Sequence, residues 1–130
     1  MIGKIISLSK IADPRGNLSV AEQMKDIPFE VSRVYWTYDI PAGSHRGGHA
    51  RHCREFIIAV SGAFSVSLDN GTERETYQLN RPYQGLLVDT GIWRTLDDFS
   101  SGTVCLVLAE DPYDEADYIY DYEEYLQSRR

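Results

Sequence analysis

The chain has 130 residues, 42% hydrophobic and 25% charged, which bounds it to one globular domain that can bury a core without staples. A formal net charge of −7 excludes the broad basic face that nucleic acid or an anionic membrane demands, while leaving a locally basic pocket free to hold an anionic small molecule. No apolar run approaches membrane-spanning length, the N-terminus does not read as a signal peptide, and Cys53 and Cys105 are too few for a disulfide framework. The reading is a cytoplasmic protein with reduced thiols, a single bridge remaining the alternative.

Short apolar–polar runs broken by turn residues predict strands throughout. Residues 4–8 are the first, Asp13-Pro14-Arg15-Gly16-Asn17 a turn, and 18–22 a second strand. Residues 31–39, β-branched and aromatic, are a third, broken by Pro41-Ala42-Gly43. Residues 55–60 and 63–68 flank Ser61-Gly62, and Asp69-Asn70-Gly71 is a hairpin turn into 73–79. Residues 85–88, 92–96 and 103–108 complete the set. Turns at such regular spacing predict an all-β barrel or jelly roll. From residue 110 to 126 the chain turns acidic and tyrosine-rich, and Tyr118, Tyr122, Tyr125 and Leu126 at helical spacing predict a short acidic C-terminal helix docked on the barrel.

From Gly43 to Gly62 the chain reads G-x5-H-x-R-x3-E-x6-G, through His49, Arg51 and Glu55. This resembles the first motif of the cupin barrel, with arginine where the second metal-binding histidine stands. Strand alternation puts His49, Arg51, Cys53 and Glu55 on one face, provided no bulge intervenes. Asp89-Thr90-Gly91-Ile92-Trp93-Arg94 is a weak match to the second cupin motif, again with arginine in the histidine place. The pocket residues are then His49, Arg51, Glu55 and Arg94. Arginine has no lone pair to give, so no metal is expected. His45, His49 and His52 suit one face of a helix, but Gly47 and Gly48 argue against a helix there, and His45 reads as a solvent-facing turn residue. A one-residue bulge near Arg51 is the alternative that turns His52 inward and Arg51 outward.

An inward His49, neutral near pH 7, suits removal of a proton from carbon beside a carbonyl; the alternative is a core histidine bonded to a backbone carbonyl. Arg46, beside Gly47-Gly48, has the fork geometry for a phosphate at the pocket mouth, or is a solvated turn residue. Arg33 and Tyr35 share one strand face; inward, Tyr35 reaches a sugar oxygen, and outward the pair only packs. Trp93 suits stacking on a base or sugar, or core packing. Arg15 is a weaker phosphate candidate.

Asp13-Pro14-Arg15-Gly16-Asn17-Leu18, Arg33-Val34-Tyr35, Arg46-Gly47-Gly48-His49-Ala50, residues 56–62, Ile92-Trp93-Arg94, 104–109 and 113–119 together resemble the sugar 3,4-ketoisomerases, the WxcM-like cupins, in family order over nearly the whole chain. The resemblance implies one domain over residues 1–130, a metal-free, cofactor-free jelly roll, and a homodimer that exchanges N-terminal strands. It implies action on dTDP-4-keto-6-deoxyglucose, moving the carbonyl from C4 to C3 through an enediol in the making of 3-amino-3,6-dideoxy sugars for surface glycans. The family pattern Arg-Gly-x-His-Ala-His-Lys has two active-site histidines; here Arg51 replaces the second and His52 follows. Either His52 takes the second role, or the chemistry is altered or lost. His49, His52, Arg51 and Tyr35 are therefore the catalytic candidates, and Arg15, Arg33, Arg46, Trp93 and Arg94 the substrate-binding ones. The rival readings are a silent cupin that binds a nucleotide sugar and a 3,5-epimerase of the same keto sugar.

Overall fold

The computed structural model describes residues 2–130, and strands dominate them. In chain order they are β1 (Gly3–Ser7), β2 (Ser9–Ile11), β3 (Leu18–Val20), β4 (Arg33–Thr37), β5 (Arg46–Ala50), β6 (Glu55–Ser61), β7 (Phe64–Asp69), β8 (Arg74–Leu79), β9 (Gln84–Val88), β10 (Trp93–Asp97) and β11 (Val104–Ala109). A 3-10 turn at Glu115–Asp117 and helix α1 (Tyr122–Ser128) close the chain. No helix among the described residues is long and apolar enough to cross a membrane.

Two antiparallel sheets, β1-β9-β6-β11-β4 and β5-β10-β7-β8, face each other as a jelly roll. Ile57, Phe64, Val66, Leu68, Leu86 and Val107 fill the space between them. β6 reads as an unbroken apolar run because both its faces are covered. Its Ile57 enters that core, while Phe56 and Ile58 pack on the opposite face under Ile27 and Phe29. β2 and β3 stand apart as a two-stranded ribbon, with Ile11, Leu18 and Val20 exposed.

Two expectations need correction. The expected short acidic C-terminal helix is present, but it starts at Tyr122 and leaves Tyr118 outside it. Residues 111–120 form a strap interrupted by the 3-10 turn, and Ile119 bridges Ala50 of β5 through backbone bonds of 2.9 Å in both directions. The helix waits for Asp121, whose carboxylate caps it by accepting from the Glu124 N–H at 3.1 Å. Tyr122 and Tyr125 do dock, against Trp93. Nor do His49, Arg51, Cys53 and Glu55 share one strand, because β5 ends at Ala50 and Glu55 begins β6 in the other sheet.

Candidate functional site

A bulge builds the site. In the β5–β10 ladder His49 opposes Arg94 and Gly47 opposes Thr95, which leaves Gly48 as the extra residue. Gly47 and Gly48 take φ of 87° and 53°, the left-handed region where only glycine is unstrained. A Cβ on Gly47 would lie 3.1 Å from both the Arg94 carbonyl oxygen and a Leu96 methyl. The bulge sits nearer the start of β5 than the sequence suggested, and it re-aims His49 rather than His52.

His49 points inward, its Nδ1 lying 2.9 Å from the Gly47 carbonyl oxygen. A carbonyl only accepts, so Nδ1 carries the hydrogen and Nε2 keeps its lone pair. That Nε2 is buried and has no hydrogen-bond partner. Burial first, and the nearby Arg94 cation second, lower the imidazole pKa from its usual 6.5, so the ring is neutral at pH 7. The result is a base held in one tautomer with its lone pair unspent.

Across the cavity lies a buried charge network. Glu55 of β6 accepts from Arg94 Nη1 through one oxygen, and from the Tyr35 hydroxyl at 2.8 Å and Arg51 Nη1 at 3.2 Å through the other. Burial alone pushes the Glu55 carboxyl up, but Arg94, Tyr35 and Arg51 together outweigh it and hold the group below the usual carboxylate range. Burial, followed by the Glu55 charge, raises the Tyr35 phenol far above its usual value, so it stays protonated. Its one hydrogen goes to Glu55, and toward the cavity it offers only a lone pair. Arg94 also donates from Nη2 to the Ile92 carbonyl at 3.1 Å, leaving a buried Nε–H without a partner.

The cavity encloses about 90 Å³. His49, Arg94, Glu55 and Tyr35 border it, with Arg46 at an exposed position and Thr37, Phe99 and Cys105 among the remaining lining. The Cys105 thiol, pushed up to about 12 chiefly by burial, is a neutral patch of wall. His49 and Arg94, each with a buried polar atom that has no partner, thus line one small chamber. Such a pair suits a proton taken from carbon beside an oxygen that gains negative charge. The donor set does not suit a divalent metal, since His49 supplies the one free lone pair of nitrogen and Glu55 spends both oxygens on cations and a phenol.

The other candidates fall elsewhere. His52 is exposed, its backbone N–H donating to Asp117 at 2.8 Å, and it is not among the residues that line the cavity. Arg51 is fully buried behind Glu55 and does not border the cavity. Trp93 is buried under Tyr122 and Tyr125 rather than offered to a substrate. Arg33 lies between the rings of Tyr35 and Tyr113, at 4.3 and 4.9 Å, and donates to the Tyr118 hydroxyl at 2.9 Å. Arg15, bound to Asp13 at 2.9 Å, sits on the exposed turn between β2 and β3, outside its own chain's cavity. His45 is exposed, 3.5 Å from Asp97. Sequence reasoning missed Asp117 and Tyr118, which approach His49 and Arg51 through the strap. An acidic, tyrosine-rich composition carried no sign of that placement.

Comparison with known proteins gives a consistent result. The family described as "WxcM-like, C-terminal" matches residues 1–130. The TDP-4-oxo-6-deoxy-alpha-D-glucose-3,4-oxoisomerase of Aneurinibacillus thermoaerophilus is 39% identical over 126 residues, covering 96% of this chain and 91% of that protein. A 3,4-ketoisomerase from Helicobacter canadensis superposes with a TM-score of 0.96 at 38% identity, covering 99% of this chain and 98% of the other. A histidine-to-asparagine variant of the 3,4-ketoisomerase QdtA from Thermoanaerobacterium thermosaccharolyticum, in complex with TDP-4-keto-6-deoxyglucose, superposes with a TM-score of 0.95 at 33% identity. That match covers 98% of this chain and 94% of the other.

Proposed function

The chain belongs to the WxcM-like family, and from that premise we propose that it is a sugar 3,4-ketoisomerase acting on a TDP-4-keto-6-deoxy sugar. The observation that carries the reading is that His49 and Arg94, whose Nε2 and Nε–H have no partner, line one cavity.

His49 removes the C3 proton, and the electron pair moves through the C3–C4 bond onto O4. Arg94, already fixed by Glu55 and the Ile92 carbonyl, stabilises the enediolate without having to reorganise. Protonation of O4 and of C4, with loss of the O3 proton, gives the 3-ketone, so the two protons lost from C3 and O3 are matched by two gained at O4 and C4. Tyr35 accepts from a sugar hydroxyl rather than donating to it, because its own hydrogen is committed to Glu55. Arg46 serves the diphosphate at the mouth.

The finer assembly is part of the same proposal: a homodimer in which the β2–β3 ribbon crosses to the partner. Its support is a ribbon that pairs with neither large sheet, exposes Ile11, Leu18 and Val20, and carries Arg15 on its turn. The free, buried Cys53 and Cys105 support a reducing, cytoplasmic setting.

The test is proton NMR of TDP-4-keto-6-deoxyglucose incubated with the protein in deuterated water. A 3-keto product with label at C3 or C4 is the expected result. Tight TDP binding with no exchange would mean a silent binder, and exchange at C5 an epimerase.

A further inference from the structure

One histidine serves the cavity, and the residue two positions on is a buried arginine whose donors are spread over two elements. Arg51 donates from Nη1 to Glu55 at 3.2 Å on the barrel side. On the strap side it donates from Nε to Asp117 Oδ2 at 3.0 Å and from Nη2 to the Pro112 carbonyl at 3.3 Å, and its guanidinium lies 4.7 Å from the Tyr118 ring centre. The other Asp117 oxygen accepts from the His52 N–H at 2.8 Å. An imidazole has two nitrogens and a shorter reach; a guanidinium has five donors in a planar fork and joins both carboxylates at once. Tyr118, gripped by Arg51 on the strap, also meets His49 at a ring separation of 5.1 Å. Tyr120 stacks on Tyr118 at 5.5 Å and 10° and lies 6.1 Å from His49.

We propose that Arg51 is a positioning residue rather than a second base: it latches residues 111–120 to the barrel through Asp117, and the latched strap sets Tyr118 and Tyr120 against His49 to keep water from the base. The inference deepens the ketoisomerase reading and rests on it for the effect on turnover, whereas the surroundings of His49 are measurable without substrate.

Besides the two tyrosines, His49 is faced by Arg94 from β10, Glu55 from β6 and Tyr35 from β4, with Arg51 behind Glu55. Burial is the largest influence on its protonation, ahead of Arg94. Freeing the strap lessens the burial and leaves Arg94 and Glu55 in place, so the His49 pKa rises toward its ordinary value.

The experiment is a proton–carbon NMR titration of the three histidine rings, with hydrogen exchange at the Ile119 amide, in the wild-type protein, Asp117→Asn and Tyr118→Ala. The His49 signal is assigned by its loss in His49→Asn. Both variants are expected to titrate His49 at higher pH, and Asp117→Asn to exchange faster at Ile119. The acid limb of kcat/KM should move with the ring titration, and kcat should fall by roughly 10- to 100-fold with a smaller change in KM. Should Asp117→Asn fail to fold, Tyr118→Ala, a change at a half-exposed ring, carries the test. An unmoved His49 titration in folded Tyr118→Ala would overturn the proposal, as would unmoved exchange at Ile119 in folded Asp117→Asn. Absence of any 3-ketone from the wild-type protein would instead remove the ketoisomerase reading, while the ring titration still decides the latch.

Discussion

The Nε2 lone pair of His49 is available because Gly47 takes up the hydrogen on the other ring nitrogen, and because no protein donor reaches it. Replacing this base should therefore be far more costly than replacing its neighbour. His49→Asn is expected to lower kcat by about 10²- to 10⁴-fold with the fold intact, whereas His52→Asn, at an exposed side chain, leaves turnover within about twofold. Steady-state kinetics on the two variants checks this; equal losses would place His52 in the chemistry after all. Activity needs the neutral imidazole, and burial and Arg94 lower its pKa, so the acid limb of kcat/KM should lie below 6.5, with no loss of activity on the way from pH 8 to 7. The spacing from Gly43 to Gly62 made His49 legible as a pocket residue, and the weak second-motif match from Asp89 to Arg94 did the same for Arg94, since a motif fixes which side chains converge. It did not make Arg51 legible: whether an arginine serves the cavity or stands behind it depends on a carboxylate 66 residues away, at Asp117. For Trp93 the structure shows the core-packing alternative, because alternation puts Arg94 and Trp93 on opposite faces and α1 covers the outer one.

Elements set those residues in place, and the Gly47-Gly48 bulge is the one most sensitive to substitution. At Gly47 a methyl meets the Arg94 carbonyl and the Leu96 side chain at 3.1 Å, on a backbone that disfavours any side chain. Gly48 is also left-handed, but a Cβ there has nothing within 4 Å. Gly48→Ala is thus expected to cost about 1 kcal/mol of strain, read as a small drop in denaturation midpoint, with kcat nearly unchanged. Gly47→Ala should cost more, about 2 kcal/mol, and also lower kcat by moving the carbonyl that holds His49. Equal effects in both variants would mean the bulge does not aim the histidine. Strands with β-branched or continuous apolar runs were readable from the chain because the side-chain pattern itself is what forms them, as in β6 and β11. The bulge was not, because two adjacent glycines signal freedom without saying which carbonyl will turn where. Nor was the strap, where tyrosines at helical spacing also fit an extended segment followed by a capped helix, and the cap at Asp121 decides between them.

Over the whole molecule, protonation and assembly are the properties that no single element decides. The folded His49 pKa lies below its unfolded value of 6.5, so between the two the unfolded chain binds more protons; this contribution to stability is full above 6.5 and lost as pH falls through the folded value. Glu55 and Glu110 are likewise depressed from 4.5, so their contributions are full above that value and lost on further acidification. Glu110, partly exposed beside Arg54, adds little. Denaturant midpoints are expected to fall in two stages on going from pH 7.5 to well below 4.5, with the first stage missing in His49→Asn; a midpoint that rises toward pH 5.5 would show that His49 is charged in the fold. Assembly bears on Arg15, which faces solvent on the turn of a ribbon with apolar residues to cover. If the ribbon crosses to the partner, Arg15 of one subunit serves the cavity that contains His49 of the other, and the two residues are separable. Arg15→Ala alone should raise KM through loss of a phosphate contact, and His49→Asn alone should lower kcat by the same about 10²- to 10⁴-fold. Refolding the two variants together at equal amounts makes half the dimers mixed, each with one cavity that has both residues intact. About a quarter of all sites then regain wild-type kinetics by random pairing. Light scattering should show dimers in every sample, and recovery of the wild-type KM in that fraction is the expected result. With Arg15 acting in its own subunit, no mixed dimer has a further intact cavity, and the mixture would show only the sum of its two parents.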